Sequence, residues 1–242
     1  MIVQKPLILK DVTSHALFRA QVLHDIPSKT AQMSIYSVDS QGRKTTLHAE
    51  CVLTLENIHD WPLEWDRSKY YIERSISWLK ERASQGLDSK LSAGVVYKLF
   101  ASLVDYSKGF KGIQEAIVNS EDFEATAKVQ FQSDQDGFIC NPMWLDSCGQ
   151  LAGFVMNGHE STSSDQVFIN HGWQSLRLLL EKFDRKATYR TYVRMRLISG
   201  TTYAGDVYIF DQDNKVIGIC GGSTVSAFLM SFLLYTFSKE EF

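Results

Sequence analysis

Asn141-Pro142-Met143-Trp144-Leu145-Asp146-Ser147-Cys148-Gly149-Gln150-Leu151-Ala152-Gly153-Phe154-Val155-Met156-Asn157 decides how the rest of this chain is read. The stretch predicts a helix with a clean start. Asn141 can cap the first turn, and Pro142 sits where its missing N–H costs nothing. Beyond that start almost every residue is apolar, so the helix must be buried. Yet it carries one carboxylate, Asp146, with Gln150 four residues on and therefore on the same face. A lone ionisable group on a buried helix is expensive unless it is partnered or used. Asp146 therefore reads either as a site acid or as a structural carboxylate capping a local backbone group. Gly149 and Gly153, also four apart, strip bulk from one line and predict a sheet packed close to the helix axis.

Strands are expected on both sides of this helix. Before it, His15 to Leu23, Gln32 to Asp39 and Thr45 to Leu55 alternate as half-buried strands do, the last two joined by a turn at Ser40-Gln41-Gly42-Arg43. In the third run Leu47, Ala49, Cys51, Leu53 and Leu55 point one way. Trp61-Pro62 breaks the pattern. Ile72, Ile76, Leu79 and Ala83 then recur at helical spacing up to Gly86, and a second helix is expected from Ala93 to Tyr106. These two helices read as a connection between halves. Gly112 to Asn119 and Glu124 to Ser133 pair across Ser120-Glu121-Asp122. After the buried helix come strands at Gln166 to Asn170, Ser175 to Leu180, Thr188 to Ile198, Tyr203 to Asp211 and Lys215 to Cys220, with a hairpin loop at Asp211-Gln212-Asp213-Asn214. One buried helix followed by an antiparallel meander outlines a hot dog. The first half has comparable strands but no equivalent buried helix. The expected organisation is residues 1–111, a partial N-terminal hot dog with connecting helices, and residues 112–242, a C-terminal hot dog with an apolar tail.

The Pro-aromatic…Leu-Asp-Ser…Gly-Phe setting of Asp146 resembles the product template domain of fungal non-reducing polyketide synthases, a dehydratase-like double hot dog. Tyr97-Lys98-Leu99-Phe100, Leu103-Val104-Asp105-Tyr106 and Glu124-Ala125-Thr126-Ala127-Lys128-Val129 fit the same family. So do His171-Gly172-Trp173, Tyr189-Arg190-Thr191-Tyr192-Val193 and Ala204-Gly205-Asp206-Val207-Tyr208, in the family's order, and Lys5-Pro6-Leu7 and His48-Ala49-Glu50-Cys51 have counterparts. The resemblance implies an α+β double hot dog with an incomplete first hot dog and an altered last strand. It also implies fungal secondary metabolism: aldol cyclisation and aromatisation of a poly-β-ketone carried on the phosphopantetheine of an acyl carrier protein, with no cofactor of the protein's own. A base takes a proton from carbon between two ketones, and a donor stabilises the alkoxide that forms. In the family a histidine is the base and an aspartate assists it. A histidine pKa of about 6.5 suits that work, whereas an aspartate at about 3.9 is a weak base unless burial raises it. Asp146 matches the family's aspartate and Gln150 the position that orients it.

The family's histidine lies in a His-x-x-x-Gly-x-x-x-x-Pro segment upstream of the strand at Lys5-Pro6-Leu7, and none of the six histidines here has that setting. His15, His24, His59 and His159 read as solvated, while His48 and His171 match structural histidines of the family. The chain thus carries half a catalytic pair, and whether it is an enzyme stays open. A trimmed, inactive synthase remnant and an accessory that binds a carrier protein or synthase are the alternatives. A simple acyl-thioester dehydratase or hydrolase shares the fold but fits the motifs less well. From Ser223 to Phe237 the resemblance ends abruptly. That apolar run reads as a core helix, a strand, or frame-shifted or intron-derived sequence, and it is shorter than the roughly 18 to 20 residues of a membrane-spanning helix. Uncovered apolar surface and sheet edges are expected to follow.

The remaining candidates each have a plain alternative. Trp144, Trp173 and Tyr192 read as lining a pocket for a flat polyketide or as sheet core. Arg190, Arg194 and Arg196 share a strand face, either a dock for an acidic carrier protein or a solvated surface. Cys140 and Cys148 lack an obvious base and read as inert thiols. With a net charge of −3, apolar content of 44% and charged content of 22%, the chain reads as an ordinary globular protein without bulk attraction to nucleic acid or anionic membrane. Its four cysteines are widely separated with no C-x-x-C pair, and the N-terminus has no signal-peptide pattern. A cytoplasmic protein, either a single chain or a homodimer, is expected, with no metal site, nucleic-acid module or membrane span.

Overall fold

The helix expected after Asn141 spans Pro142–Asn157 in the computed structural model of the protein, which describes residues 1–6, 17–119, 121–133 and 137–230. This helix is α3. It is preceded by α1 (Trp61–Ser84) and α2 (Ala93–Phe100). The strands before it are β1 (Ile2–Val3), β2 (Phe18–Asp25), β3 (Thr30–Val38), β4 (Lys44–Thr54), β5 (Ser89–Ser92), β6 (Ile113–Val118) and β7 (Glu124–Gln130). Those after it are β8 (Gln166–Gly172), β9 (Ser175–Leu178), β10 (Thr188–Arg194), β11 (Arg196–Ser199), β12 (Thr202–Phe210) and β13 (Val216–Leu229).

All the strands join one antiparallel sheet in the order β2-β3-β4-β1-β8-β13-β12-β10-β7-β6-β5, with β11 beside β12 and β9 beside β13. The short β1 pairs with β4 on one side and β8 on the other, so it links the first-half strands to the second-half sheet. The second-half sheet curls around α3, which packs on β6, β7, β8, β10, β12 and β13. That is the hot-dog arrangement.

Alternation explains which strand residues meet the helix. Ala125, Ala127 and Val129 of β7, Tyr189 and Val193 of β10, and Val207 and Ile209 of β12 share a core with Leu151, Phe154, Val155 and Met156 of α3. Each of the Val, Leu, Ile, Phe and Met side chains among them contributes roughly 1.5–3 kcal/mol. The opposite face of the sheet is covered by α1. Its Trp65, Ile76 and Leu79 pack on Ile117, Tyr192, Phe210, Val216 and Ile219. The predicted connection between halves is therefore also the second layer of the core.

Local chemistry fixes the ends of α3. The Asn141 side chain accepts from the Met143 N–H at 2.9 Å, as its position predicted. At the other end the Asn157 amide donates to the Gly153 and Phe168 carbonyls, both at 2.9 Å, and accepts from the Phe168 N–H at 2.8 Å. That exchange ties the last turn of α3 to β8. The turn expected at Ser40 to Arg43 closes the β3–β4 hairpin, with Gly42 at φ +76° where a side chain would be strained.

Three expectations need correction, and one open reading resolves. Gly149 and Gly153 do not bring a sheet close, because a Cβ at either would meet nothing within 4 Å. The close approach comes from the partner side, where a Cβ on Gly112 would fall 2.5 Å from the Ser147 Cβ and one on Gly109 would fall 2.5 Å from the Met143 sulfur. The helix expected to reach Tyr106 ends at Phe100, where the chain turns to bring Tyr106 back against Phe100. The strand expected over Thr188 to Ile198 is broken at Met195, whose N–H turns to the Phe123 carbonyl at 2.7 Å. Finally, the apolar run after Gly222 continues β13 as far as Leu229, paired with β12 through Ser226 and with β8 from Thr224 to Leu229. The part of that run from 231 onward, His15 and Ser120 lie outside the described residues.

Apolar side chains do stand exposed on the first-half strands, Phe18, Val22, Val52 and Leu53 among them. No helix packs extensively on β2, β3 or β4 among the described residues. No helix of the described residues is long and apolar enough to cross a membrane.

Because Phe154 is 1% exposed and central to the α3 core, Phe154→Ala should destabilise the protein by about 3–5 kcal/mol. Asn141→Ala, which removes the cap, should cost about 1 kcal/mol. Urea unfolding of the two variants measures both, and equal losses would contradict this packing.

Candidate active site

Asp146 and Gln150 lie one turn apart on α3, and the structure joins them. The Gln150 Nε2 donates to Asp146 Oδ2 at 2.6 Å and to the Phe110 carbonyl at 2.8 Å. Its Oε1 accepts from the Tyr97 hydroxyl of α2 at 2.9 Å, and the Tyr97 oxygen accepts from the Ile113 N–H of β6 at 2.8 Å. Ser147, the next residue, donates back to the Met143 carbonyl at 2.7 Å. Gln150 is buried, while Asp146 opens to solvent on the same side of α3 as Gly149 and Gly153. The helix thus buries most of its circumference and leaves one stripe, headed by the carboxylate, uncovered.

Although Asp146 is exposed as a residue, the surrounding bulk shields its carboxyl from much of the water. Burial raises its pKa above the ordinary aspartate value, and the Gln150 hydrogen bond pulls the other way. Tyr106 packs edge-on against Tyr97 and Phe100, at 6.2 and 5.2 Å between ring centroids. Burial, and then the Asp146 charge, push its phenol up to about 12. The Tyr97 phenol is raised in the same direction, chiefly by burial. Both tyrosines therefore stay protonated beside the carboxylate at neutral pH. A carboxyl whose pKa burial has raised, flanked by neutral phenols, has the chemistry for general acid–base work.

The chain has close relatives. Residues 79–219, more than half of the chain, match the family described as the polyketide synthase dehydratase N-terminal domain. The chain belongs to this polyketide synthase dehydratase family. It is 60% identical over 225 residues to Polyketide synthase 1 of Metarhizium album, covering 93% of this chain and 10% of that protein. It is 55% identical over 233 residues to Polyketide synthase 2 of Metarhizium guizhouense, covering 96% and 11%. The chain thus spans about a tenth of the length of these relatives.

Solved structures share the fold at low identity. A trans-AT polyketide synthase dehydratase domain from Brevibacillus brevis aligns with a TM-score of 0.65 and 16% identity, covering 94% of this chain and 74% of that one. The dehydratase domain of the CurH module of the curacin polyketide synthase aligns at 0.65 and 14%, covering 96% and 77%. The fold is that of polyketide synthase dehydratase double hot dogs.

In this dehydratase-family chain the other predicted residues lie apart from Asp146. Trp144 is half-buried and turns away, stacking on Phe131 at 4.7 Å while its indole donates to the Ser133 carbonyl at 3.0 Å. Tyr192 is in the core beneath α1, across the sheet from α3, and its hydroxyl bonds the Glu124 carboxylate. Trp173 sits where β8 ends, its N–H donating to the Met1 carbonyl at 2.9 Å. Arg190 is half-buried, bonded to Asn214 and placed over the Phe210 ring. Arg194 is paired with Asp122 at 2.9 Å, and Arg196 is exposed beyond the break at Met195. The three arginines therefore do not form one free basic face.

Two histidine expectations also resolve. His159 is buried, not solvated, with its ring 4.5 Å from Phe123 and Nδ1 2.8 Å from the Ser161 hydroxyl. His48 spends Nδ1 on the Lys5 carbonyl at 3.0 Å and Nε2 on the Ser37 hydroxyl at 2.5 Å. His171 bonds Ser226 at 2.9 Å. No described histidine joins the Asp146 network. Cys148 is fully buried, and burial raises its thiol far above the reactive range.

A separate polar cleft of about 210 Å³ lies between α1 and strands β9, β12 and β13, with Glu64, Arg177, Asp206 and Tyr208 on its walls. It is on the face of the sheet away from Asp146. Tyr97, Tyr106 and the Phe110 carbonyl are the site components that composition and spacing did not single out. The four aromatics Tyr97, Phe100, Tyr106 and Phe110, close together in sequence, were the available signal.

The raised Asp146 pKa has a stability consequence. Between the unfolded value near 3.8 and the higher folded value, the folded protein holds a proton that the unfolded chain has released. Stability contributed at Asp146 is present at acid pH and lost as pH rises through the folded pKa. Asp146→Asn keeps an acceptor for Gln150 and should gain stability relative to the parent as pH rises. Urea midpoints of both proteins compared at about pH 3.5 and about pH 7 test the sign.

Proposed function

We propose that this chain supplies the aspartate half of a product-template-type site, in which a polyketide synthase folds and cyclises a carrier-bound poly-β-ketone. The observation that carries the reading is Asp146 on buried α3, hydrogen-bonded by Gln150 at 2.6 Å and facing the uncovered stripe of Gly149 and Gly153. An acyl chain on phosphopantetheine needs a narrow path along an apolar wall, and two glycines beside the carboxylate leave room for one. The relatives' name, polyketide synthase, supports the setting.

The chemistry divides as follows. A base removes a proton from carbon between two carbonyls, and the resulting enolate attacks a ketone carbon of the same chain. The new C–C bond leaves an alkoxide, which takes up a proton, and loss of water then gives the aromatic ring. Asp146 serves the histidine that acts as base or returns the proton to the oxygen. Gln150 holds the carboxyl in place. The histidine comes from outside the described network, contributed by another segment of the synthase or by another chain. An acyl carrier protein delivers the substrate, with Arg196 available at the surface for its acidic face.

A non-catalytic reading draws on one observation, the lack of a histidine in the Asp146 network among the described residues. A carrier-binding or inactive relative would then bind carrier protein without turnover. The experiment is a reconstituted synthase carrying this sequence, assayed by product profile. Asp146→Ala should lower the cyclised aromatic product by about 10²–10⁴-fold in rate and divert chain to spontaneous by-products, the range expected for loss of an acid–base group. Gln150→Ala should lower it less. An unchanged profile for Asp146→Ala would remove Asp146 from the reaction and leave the binding role.

A further inference from the structure

We infer that Tyr97 is a positioning residue, locking the Gln150 side chain so that its N–H₂, and never its carbonyl, faces Asp146. The inference rests on reading Asp146 as the acid of the site. A primary amide has two ends of opposite polarity, and a half-turn exchanges them. What fixes the choice here is the set of partners around Gln150. Its nitrogen lies 2.6 Å from Asp146 Oδ2 and 2.8 Å from the Phe110 carbonyl, both acceptors. Its oxygen lies 2.9 Å from the Tyr97 hydroxyl.

The phenol has one proton to donate, and Gln150 Oε1 is its nearer acceptor. The phenol oxygen already accepts the Ile113 N–H at 2.8 Å, and the nearest competing acceptor for its proton, the Phe110 carbonyl, is farther away at 3.4 Å. The proton therefore goes to Gln150 Oε1. A flipped amide would set its carbonyl against two acceptors and leave the phenol proton without its better partner. Ile113 is fully buried in β6, where β6 is held by β7. The positioning chain thus starts in the sheet and passes through Tyr97 and Gln150 to the carboxylate. Its result is a constant hydrogen-bond donor at Oδ2, which favours the ionised carboxyl against burial, while Oδ1 has no hydrogen-bond partner among the described residues.

The other titratable groups around Asp146 do not make this choice. Tyr106 and Cys148 feel its charge, and Lys111 lies over the Tyr97 ring, its Nζ 5.9 Å from the centroid. None of them is hydrogen-bonded to the Gln150 amide among the described residues.

The test is the ¹³C carboxyl titration of Asp146 in the full chain, compared across Tyr97→Phe, Gln150→Ala and the double variant. Tyr97→Phe should move the Asp146 midpoint upward, Gln150→Ala should also move it upward, and the double variant should match Gln150→Ala alone. No shift in Tyr97→Phe, or an undiminished shift in the Gln150→Ala background, overturns the inference. Because Tyr97→Phe also strips Ile113 of its acceptor and can unfold the chain, 3-fluorotyrosine at position 97 provides the fold-safe arm. It keeps the acceptor and is the stronger donor, so the midpoint should move downward with Gln150 present and stay put in Gln150→Ala. An unmoved midpoint in the fluorotyrosine protein with Gln150 present overturns it as well. The titration needs no turnover, so its outcome is separate from whether the site cyclises a polyketide.

Discussion

The site depends on how α3 divides its surface. A helix this apolar is stable only where a sheet wraps it, and six strands do so here. Complete wrapping would bury a carboxylate with no water and too few donors, at a cost of several kcal/mol. The sheet instead leaves uncovered the line through Asp146, Gly149 and Gly153. Burial of Leu151, Phe154, Val155 and Met156 on the other sides holds that line in place. The rigidity of the core thus becomes the precision of the acid.

Much of this was readable in order. The Asn141 cap, the Pro142 start and the Asp146–Gln150 pair rest on local rules of spacing, and local rules survive folding. The β3–β4 hairpin was readable for the same reason, since Gly42 marks its turn. Contacts made at long range were not. Whether a glycine faces a sheet or a cavity depends on what the far strands do, so Gly149 and Gly153 were misplaced while Gly109 and Gly112 performed the close approach. Tyr97 reaches Gln150 across 53 positions, and no periodicity announces that.

The aromatic and basic residues on β10 show the same limit. Tyr192, Arg190 and Arg194 do alternate with Tyr189 and Val193, as a strand requires. Which of the two faces meets α3 was not set by the alternation itself. The structure gives that face to Tyr189 and Val193, and α1 covers the other. The apolar run after Gly222 was also ambiguous by composition. Strands β8 and β12 on either side recruit it into the sheet as far as Leu229.

The most direct test of this account is a crystal structure of the protein with a pantetheine-linked poly-β-ketone mimic bound. The account predicts the acyl portion lying along Gly149 and Gly153, with a carbonyl oxygen within hydrogen-bond reach of Asp146. A mimic seated in the polar cleft beside α1, or passing Asp146 without contact, would contradict it.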